Sequence, residues 1–204
     1  MRLIDIPTEQ TTAATDAMLA LLALGGLIVL LRLNRYDPSK VRVWSVALAC
    51  LAVASASGAV AHGVQVSGRA HDLLWLAIYL CLGLLVAFFV IGTVYDLWGE
   101  RAARRWAPVM IVVGLSFFGV TRLAGAAFVM FVGYEAAALS LALLGYAYLA
   151  LIERRPGAEL MAAGILVTLL AAVIQATRWL TPFTAIWTFD HNGLSTSCRW
   201  PAWR

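Results

Sequence analysis

Six long apolar segments divide this chain of 204 residues, and they limit its possible folds more than any other feature. An α-helix needs roughly 20 mostly apolar residues to cross a bilayer, and most of the segments are near that length or longer. Lipid offers the backbone no hydrogen-bond partner, so a spanning segment must satisfy its own polar groups as a helix. The sequence therefore predicts an all-α, polytopic membrane bundle with spans at residues 16–33, 43–64, 73–95, 107–120, 124–151 and 160–180.

The composition predicts one membrane domain over residues 1–204. The chain is 62% hydrophobic and 13% charged, which is far too apolar for a soluble domain of this length. Its net charge of +4 does not indicate nucleic-acid binding, because the basic residues lie in short loops between the spans. Three irregularly spaced cysteines predict neither a disulfide framework nor a cysteine zinc site. The first residues lack the apolar run of a cleavable signal peptide, so we expect the first span to direct membrane insertion.

The distribution of lysine and arginine predicts the orientation of the bundle, because cytoplasmic loops carry an excess of these residues. The connections after the first, third and fifth spans hold most of them, which places the N-terminus outside, and we expect the inner membrane of a bacterium. A seventh, incomplete helix is predicted over residues 182–194, since Thr181 can cap it and Pro182 suits its first turn. The basic residues of these three connections are Arg35, Lys40, Arg42, Arg101, Arg104, Arg105, Arg154 and Arg155, whereas the alternate connections hold only Arg69, Arg122 and Arg178.

Four polar residues near the predicted outer ends of the spans are candidates for a metal site. His62 falls in the last turns of the second span and Asp72 in the first turn of the third, equally far from the middle of their connection. An antiparallel hairpin places such a pair at about the same depth. Asp190 and His191 lie in the seventh segment, somewhat deeper. Two imidazoles and one carboxylate suit zinc or a similar divalent ion.

Each of these residues also has an explanation without chemistry. His62 could bond a backbone carbonyl or face the headgroups, and Asp72 could match the dipole of its helix. Asp190 and His191 are harder to explain in this way, because consecutive polar residues inside a span should face a cavity or another helix. Glu135 is predicted near the bilayer centre, where it would be protonated, paired with a neighbouring helix, or part of a water-filled path.

The order of these residues resembles the CREST superfamily of seven-span membrane proteins, which includes the alkaline ceramidases and the progestin and adiponectin receptors. That family has a serine and a histidine late in span two, an aspartate at the start of span three and a histidine pair in span seven. Here Ser57 with His62, then Asp72, and then His191 in FDHNGL match these elements. The resemblance implies a zinc ion held by histidines, with Ser57 and Asp72 beside it, hydrolysing an amide bond in a lipid.

The chain departs from the family pattern at two points. Ser57 is five residues before His62 instead of four, and the second histidine of span seven is absent. One hypothesis for the absence is a one-base shift of the reading frame, after which the codons of STSCRWPAWR can spell the apolar sequence HLVQVAGVA. Residues 195–204 would then replace a histidine and the end of a helix. Third bases in the coding DNA that forbid a histidine codon there would refute this hypothesis.

Two functions are open at this point. The first is a metal-dependent membrane hydrolase of a lipid amide or ester, impaired by the lost ligand. His62 and His191 would hold zinc, Asp72 would orient water or accept a proton, and Ser57 would stabilise the oxyanion. The alternative is a receptor-like protein or a small transporter, in which Glu135 and the histidines line a polar path or fasten helices. A histidine-ligated haem is a third interpretation, which a colourless preparation would exclude. Membrane lipids are the expected partners in each case.

Overall fold

A computed structural model describes the backbone of residues 3–123, 127–177, 183–184 and 188–189. Nearly all of this backbone is helical, in six helices that follow one another along the chain. Two strands of two residues each come after the last helix and pair in an antiparallel ladder. The elements are α1 (Pro7–Arg32), α2 (Pro38–Gly63), α3 (Gly68–Trp98), α4 (Glu100–Leu123), α5 (Ala127–Leu151), α6 (Ala158–Thr177), β1 (Phe183–Thr184) and β2 (Thr188–Phe189).

Local sequence signals set the helix boundaries. Pro38 lies in the first turn of α2, where its missing N–H costs nothing, and the Asp37 carboxylate before it accepts a hydrogen bond from the Lys40 N–H at 3.0 Å. The Ser67 hydroxyl caps α3 in the same way. Gly99 separates α3 from α4 at a φ of 81°, a left-handed conformation that favours glycine. The loops are therefore short, and consecutive helices run antiparallel.

The packing of the bundle is that of a membrane protein. The buried positions are largely alanine, as at Ala47, Ala87 and Ala142, whereas leucines such as Leu21 and Leu141 are among the most exposed side chains. In lipid, close helix packing depends on small residues at the interface, and large apolar side chains are satisfied by the acyl chains outside. Within the part of the chain that the structure describes, five helices are long and apolar enough to cross a membrane. The protein is therefore an integral membrane protein.

The helix α3 lies at the centre of the described bundle, because it packs against α2, α4 and α5. Its backbone comes close to that of α4 at Gly83 and Gly114. A Cβ added at Gly83 would lie 2.7 Å from the carbonyl oxygen of Gly114, and one added at Gly114 would lie 2.7 Å from that of Gly83. Gly83 and Ala87 form a small-xxx-small pattern on α3, of the kind that lets two membrane helices touch through their backbones.

The predicted helical membrane bundle is confirmed, and each of the six complete spans coincides with a helix. The first helix begins at Pro7 rather than at residue 16, so its polar first turns are part of the bundle. A seventh helix and an outward N-terminus stay predictions. Of the segment 182–194, the structure describes only β1 and β2, which are paired strands rather than helix and are rich in the β-favouring residues threonine and phenylalanine.

Candidate functional site at the His62 end of the bundle

The two ends of the bundle are named after one residue each. The His62 end contains the start of α1, the end of α2 and the start of α3, and the Lys40 end is opposite. At the His62 end, the residues before α1 run beside the end of α2: the Ile4 N–H donates to the Gly63 carbonyl at 3.1 Å, and Leu3 pairs with Val64. This backbone pairing fixes the first turn of α1 against the last turns of α2.

The principal polar contact at this end joins Glu9 to His62. The Glu9 Oε2 atom lies 2.6 Å from the Nδ1 atom of His62, and the two side chains are only 15% and 17% exposed. The imidazole donates from Nδ1 when neutral, and the contact becomes an ion pair when the ring is protonated. Either state commits Nδ1 to the carboxylate, so Nε2 is the ring atom left to bind a further partner.

A second carboxylate of α1, that of Asp16, approaches α2 at Gly58. A Cβ added at Gly58 would lie 2.5 Å from the Asp16 Oδ2 atom, so the carboxylate occupies the space that a larger residue would take. Glu9 and Asp16 are seven residues apart and share one face of α1, whereas Gly58 and His62 are four apart and share one face of α2. Two acidic side chains of α1 therefore face the stripe of α2 that carries His62.

Aromatic residues of α3 form the remaining side of the site. The ring of Trp75 lies edge-on to the His62 ring, with centroids 5.8 Å apart. The Trp75 indole Nε1–H also donates to the Nε2 atom of His71 at 3.1 Å. His71 is exposed at the surface. It accepts the hydrogen bond of Trp75, so its position is distinct from that of His62.

The structure separates Asp72 and Ser57 from the contacts of His62. The Asp72 side chain is exposed, and no hydrogen bond or ion pair to it is found among the described residues. Ser57 precedes His62 by five residues and points about 140° away from it around the helix. Ser55, seven residues before His62, points within about 20° of it and is buried. The serine on the His62 face is therefore Ser55.

The metal site predicted from His62, Asp72 and His191 is tested only in part by the structure. In the part of the chain whose side chains are described, no group of three His, Cys, Asp or Glu residues is arranged to hold an ion. His191 and Asp190 lie outside the described residues. The described part of the site thus contributes one imidazole whose Nε2 atom has no hydrogen bond there, and the carboxylates of Glu9 and Asp16 face the same stripe of α2.

The sequence contained a signal for Glu9 and Asp16 that the prediction did not use. Pro7 marks a helix start, and a helix from that point brings the two carboxylates onto one face, seven residues apart. The prediction began the first span at residue 16 because residues 1–15 are polar. Polar residues in the first turns of a membrane helix are retained where another helix offers a partner, here His62.

Glu135 is the other ionisable residue that the sequence singled out, and it lies on α5. Its side chain is half-buried, and no hydrogen bond or ion pair to it is found within the described residues. The neighbouring Tyr134 hydroxyl is buried and likewise lacks a partner there. Its ring stacks on Phe117 of α4 at a centroid distance of 5.1 Å. Among the described residues, these two adjacent polar groups of α5 thus lack the pairing that was one of the predicted possibilities.

A polar cluster at the Lys40 end was not predicted. The Lys40 Nζ atom lies 2.6 Å from Asp96 Oδ1, and the Tyr146 hydroxyl donates to Asp96 Oδ2 at 2.8 Å. The Tyr95 hydroxyl donates to Asp37 at 2.8 Å, and Arg155 donates to the backbone carbonyl of Asp96 at 2.9 Å. The cluster joins α2, α3, α5 and the connection after α5, so it fastens this end of the bundle.

The apolar exterior, the alanine-rich interior and the enclosed Glu9–His62 pair define a helical integral membrane protein with a polar site near one end. Residues 11–195 match a family model described as a family of unknown function (DUF6962), and the chain belongs to that family. His62 lies inside the matched residues and Glu9 just before them. No curated protein and no solved structure matches the chain.

Proposed function

We propose that the chain is a membrane hydrolase of the zinc-dependent type, acting on an amide or ester bond of a lipid. The observation that carries the proposal is the enclosed Glu9–His62 contact of 2.6 Å. Metal-ligating histidines usually give their second ring nitrogen to a carboxylate, which fixes the orientation of the ring and raises its basicity. Glu9 supports that role for His62, and the Nε2 atom is left for the ion.

The described residues supply part of a zinc ligand set. His62 supplies one imidazole from the described residues, and His191 would supply a second. The strand β2 packs against α1, the helix that carries Glu9, and His191 follows this strand by two residues. When bound, zinc supplies a Lewis acid that activates water and polarises a carbonyl group. Glu9 then orients the His62 ring, and the Trp75 ring shields it from water on the α3 side.

The remaining side chains have separate parts in the proposal. Asp72 at the start of α3 takes up or delivers a proton at the membrane surface. Of the two serines, Ser55 shares the face of His62 more closely than Ser57, so Ser55 rather than Ser57 would donate a hydrogen bond to the substrate oxygen. A lipid substrate reaches such a site sideways from the bilayer, since the exterior of the helices is apolar. The predicted orientation puts the site in the outer leaflet of the inner membrane of a bacterium.

The reading-frame hypothesis is part of the proposal, because the histidine pair of the CREST pattern needs it. The family match ends at residue 195, the first residue of the stretch STSCRWPAWR that the hypothesis attributes to a shifted frame. This coincidence supports the hypothesis. A chain with HLVQVAGVA in place of residues 196–204 would have a histidine five residues after His191, and we expect it to bind zinc more tightly than the present chain.

Zinc content measured by elemental analysis of the purified protein tests the proposal. The chain carrying HLVQVAGVA is expected to hold close to one zinc ion, and His62→Ala in that chain is expected to remove it. Glu9→Gln should weaken zinc binding by about 10–100-fold, because the glutamine amide can still orient the His62 ring but lacks the negative charge of the carboxylate. Hydrolysis of a fluorogenic ceramide analogue should fall with the zinc content.

The matched control for this experiment is His71→Ala, which removes an exposed imidazole of the same end of the bundle and should leave the zinc content unchanged. Zinc near zero in both the present chain and the HLVQVAGVA chain would exclude the hydrolase. Equal zinc loss in the His71 and His62 variants would show that surface imidazoles, rather than the Glu9–His62 site, bind the ion.

A small transporter is the second candidate function, and Glu135 with Tyr134 favours it. A carboxyl group within a membrane helix is retained for a functional reason more often than not, and here its neighbour is a buried hydroxyl without a partner among the described residues. In liposomes, this function predicts proton flux that Glu135→Gln abolishes and the exposed Glu159→Gln leaves intact. Flux that is insensitive to Glu135→Gln would exclude it.

A further inference from the structure

A groove of about 460 Å³ lies between α1 and α2 near the Lys40 end, away from the His62 site. Its apolar part is formed by Leu27 and Leu31 of α1 and by Val46 and Ala49 of α2. The volume is within the range of about 300–1,000 Å³ that ligand clefts have. The groove is open to the side, where acyl chains of the bilayer surround the protein, so an extended hydrocarbon chain can enter it without desolvation of polar groups.

Positive charge lies at the mouth of this groove. Arg42 and Asn34 line it, and both side chains are exposed. No ion pair of Arg42 is found among the described residues. Two acidic residues at this end of the bundle are engaged elsewhere: Asp37 accepts hydrogen bonds from Tyr95 and from the Lys40 backbone, and Asp96 pairs with the Lys40 side chain. The guanidinium of Arg42 is thus available to an anion.

A third polar group lies deeper in the same groove. The Ser45 hydroxyl is buried, and it has no hydrogen-bond partner among the described residues. Ser45 follows Arg42 by three residues on the same face of α2, about 4.5 Å further into the membrane at 1.5 Å per residue. A phospholipid has this order of groups, with a phosphate at the surface, ester carbonyls a few ångströms below it and acyl chains beneath them.

We propose that the groove is a binding site for an anionic glycerophospholipid of the leaflet at the Lys40 end. The phosphate binds Arg42 and Asn34, the glycerol ester groups lie beside Ser45, and one acyl chain lies between α1 and α2. The positive-inside pattern makes this the cytoplasmic leaflet, which carries anionic lipids that basic pockets between helices bind. The site is independent of the hydrolase proposal, because it shares no residue with the His62 end.

Native mass spectrometry of the detergent-purified chain tests this site with two lipids of identical acyl chains, phosphatidylglycerol and phosphatidylcholine. We expect phosphatidylglycerol to bind more tightly, and Arg42→Gln to weaken its binding about fivefold, since one basic residue contributes about that factor at an anionic surface. Arg105→Gln is the matched control, because Arg105 is also an exposed arginine at this end of the bundle. It should leave binding unchanged.

A further variant separates the groove from general charge attraction. Ala49→Trp fills the apolar part and should reduce phosphatidylglycerol binding while leaving Arg42 in place. Glycerol phosphate, which has the headgroup charge without acyl chains, should not compete. Equal binding of the two lipids, equal effects of Arg42→Gln and Arg105→Gln, or an Ala49→Trp chain with unchanged binding would each overturn the proposal.

Discussion

A Gly83→Ala chain is expected to lose about 2–3 kcal/mol of stability, although the substitution adds a single methyl group. The Cβ atom would lie 2.7 Å from the backbone oxygen of Gly114, and a backbone atom cannot move aside as a side chain can. The two helices would have to separate, which weakens the central contact between α3 and α4. The apparent melting temperature in detergent should fall by roughly 5–10 °C, and Gly83→Leu should reduce the yield of folded protein further.

The control for this prediction is Gly119→Ala on α4, where a Cβ would meet no atom within 4 Å. Alanine is the better helix former, so this variant should be as stable as the parent chain or more stable, by up to about 1 kcal/mol. If Gly83→Ala and Gly119→Ala gave the same melting temperature, the close approach of α3 and α4 would be wrong.

Removing the carboxylate of Asp96 is the second substitution with a large expected effect. Asp96→Ala leaves the Lys40 ammonium and the Tyr146 hydroxyl, both of which bond to this carboxylate, without their partner. A lost hydrogen bond to a charged group costs about 1.5–3 kcal/mol, and Tyr146 is almost fully buried. Lys40 is partly exposed and recovers water, so we expect a total loss of about 2–3 kcal/mol.

A double-mutant cycle with Tyr146→Phe distinguishes the loss of the Tyr146–Asp96 hydrogen bond from a general loss of stability. The combined variant should lose less stability than the two single losses added together, because both substitutions remove the same hydrogen bond. Glu159→Gln, an exposed acidic residue at the same end, should shift the melting temperature very little. Strict additivity of Asp96→Ala and Tyr146→Phe would contradict the contact of 2.8 Å between the two side chains.

The sites at the two ends of the bundle have different physical characters. At the Lys40 end, every carboxylate of the cluster is paired with a donor on another helix, so the cluster holds the helices together. At the His62 end, Glu9 binds one nitrogen of the imidazole and leaves the other without a hydrogen bond in the described residues. The hydrolase proposal rests on His62 and not on the larger cluster, because only one of the two ring nitrogens of His62 is hydrogen-bonded in the described residues.

Several of the basic loop residues that were used to predict orientation also make structural contacts at the Lys40 end. Arginine and lysine in these loops predicted orientation, and the structure gives several of them a second use. Lys40 and Arg155 bond to Asp96, and Arg104 bonds to Glu100 on its own helix. Arg42 has no such partner among the described residues, and for this reason it is the basic residue to which we assign a lipid.

The sequence by itself determined the membrane class, the helical architecture and the approximate limits of six helices. Each of these follows from local chemistry, since a long apolar segment in lipid must be helical to satisfy its own backbone. The sequence also singled out His62, because an imidazole at the end of an apolar segment requires a partner. The identity of that partner could not be predicted from the residues next to His62 in the sequence.

Only the tertiary structure decided that Glu9 is the partner of His62 and that Asp96 joins three helices. Glu9 and His62 are 53 positions apart in the chain. Their contact depends on how α1 packs against α2 and on the glycines that let the helices approach. Helix formation depends on each segment alone, whereas the rotation and depth of one helix against another depend on the fit of all their side chains together.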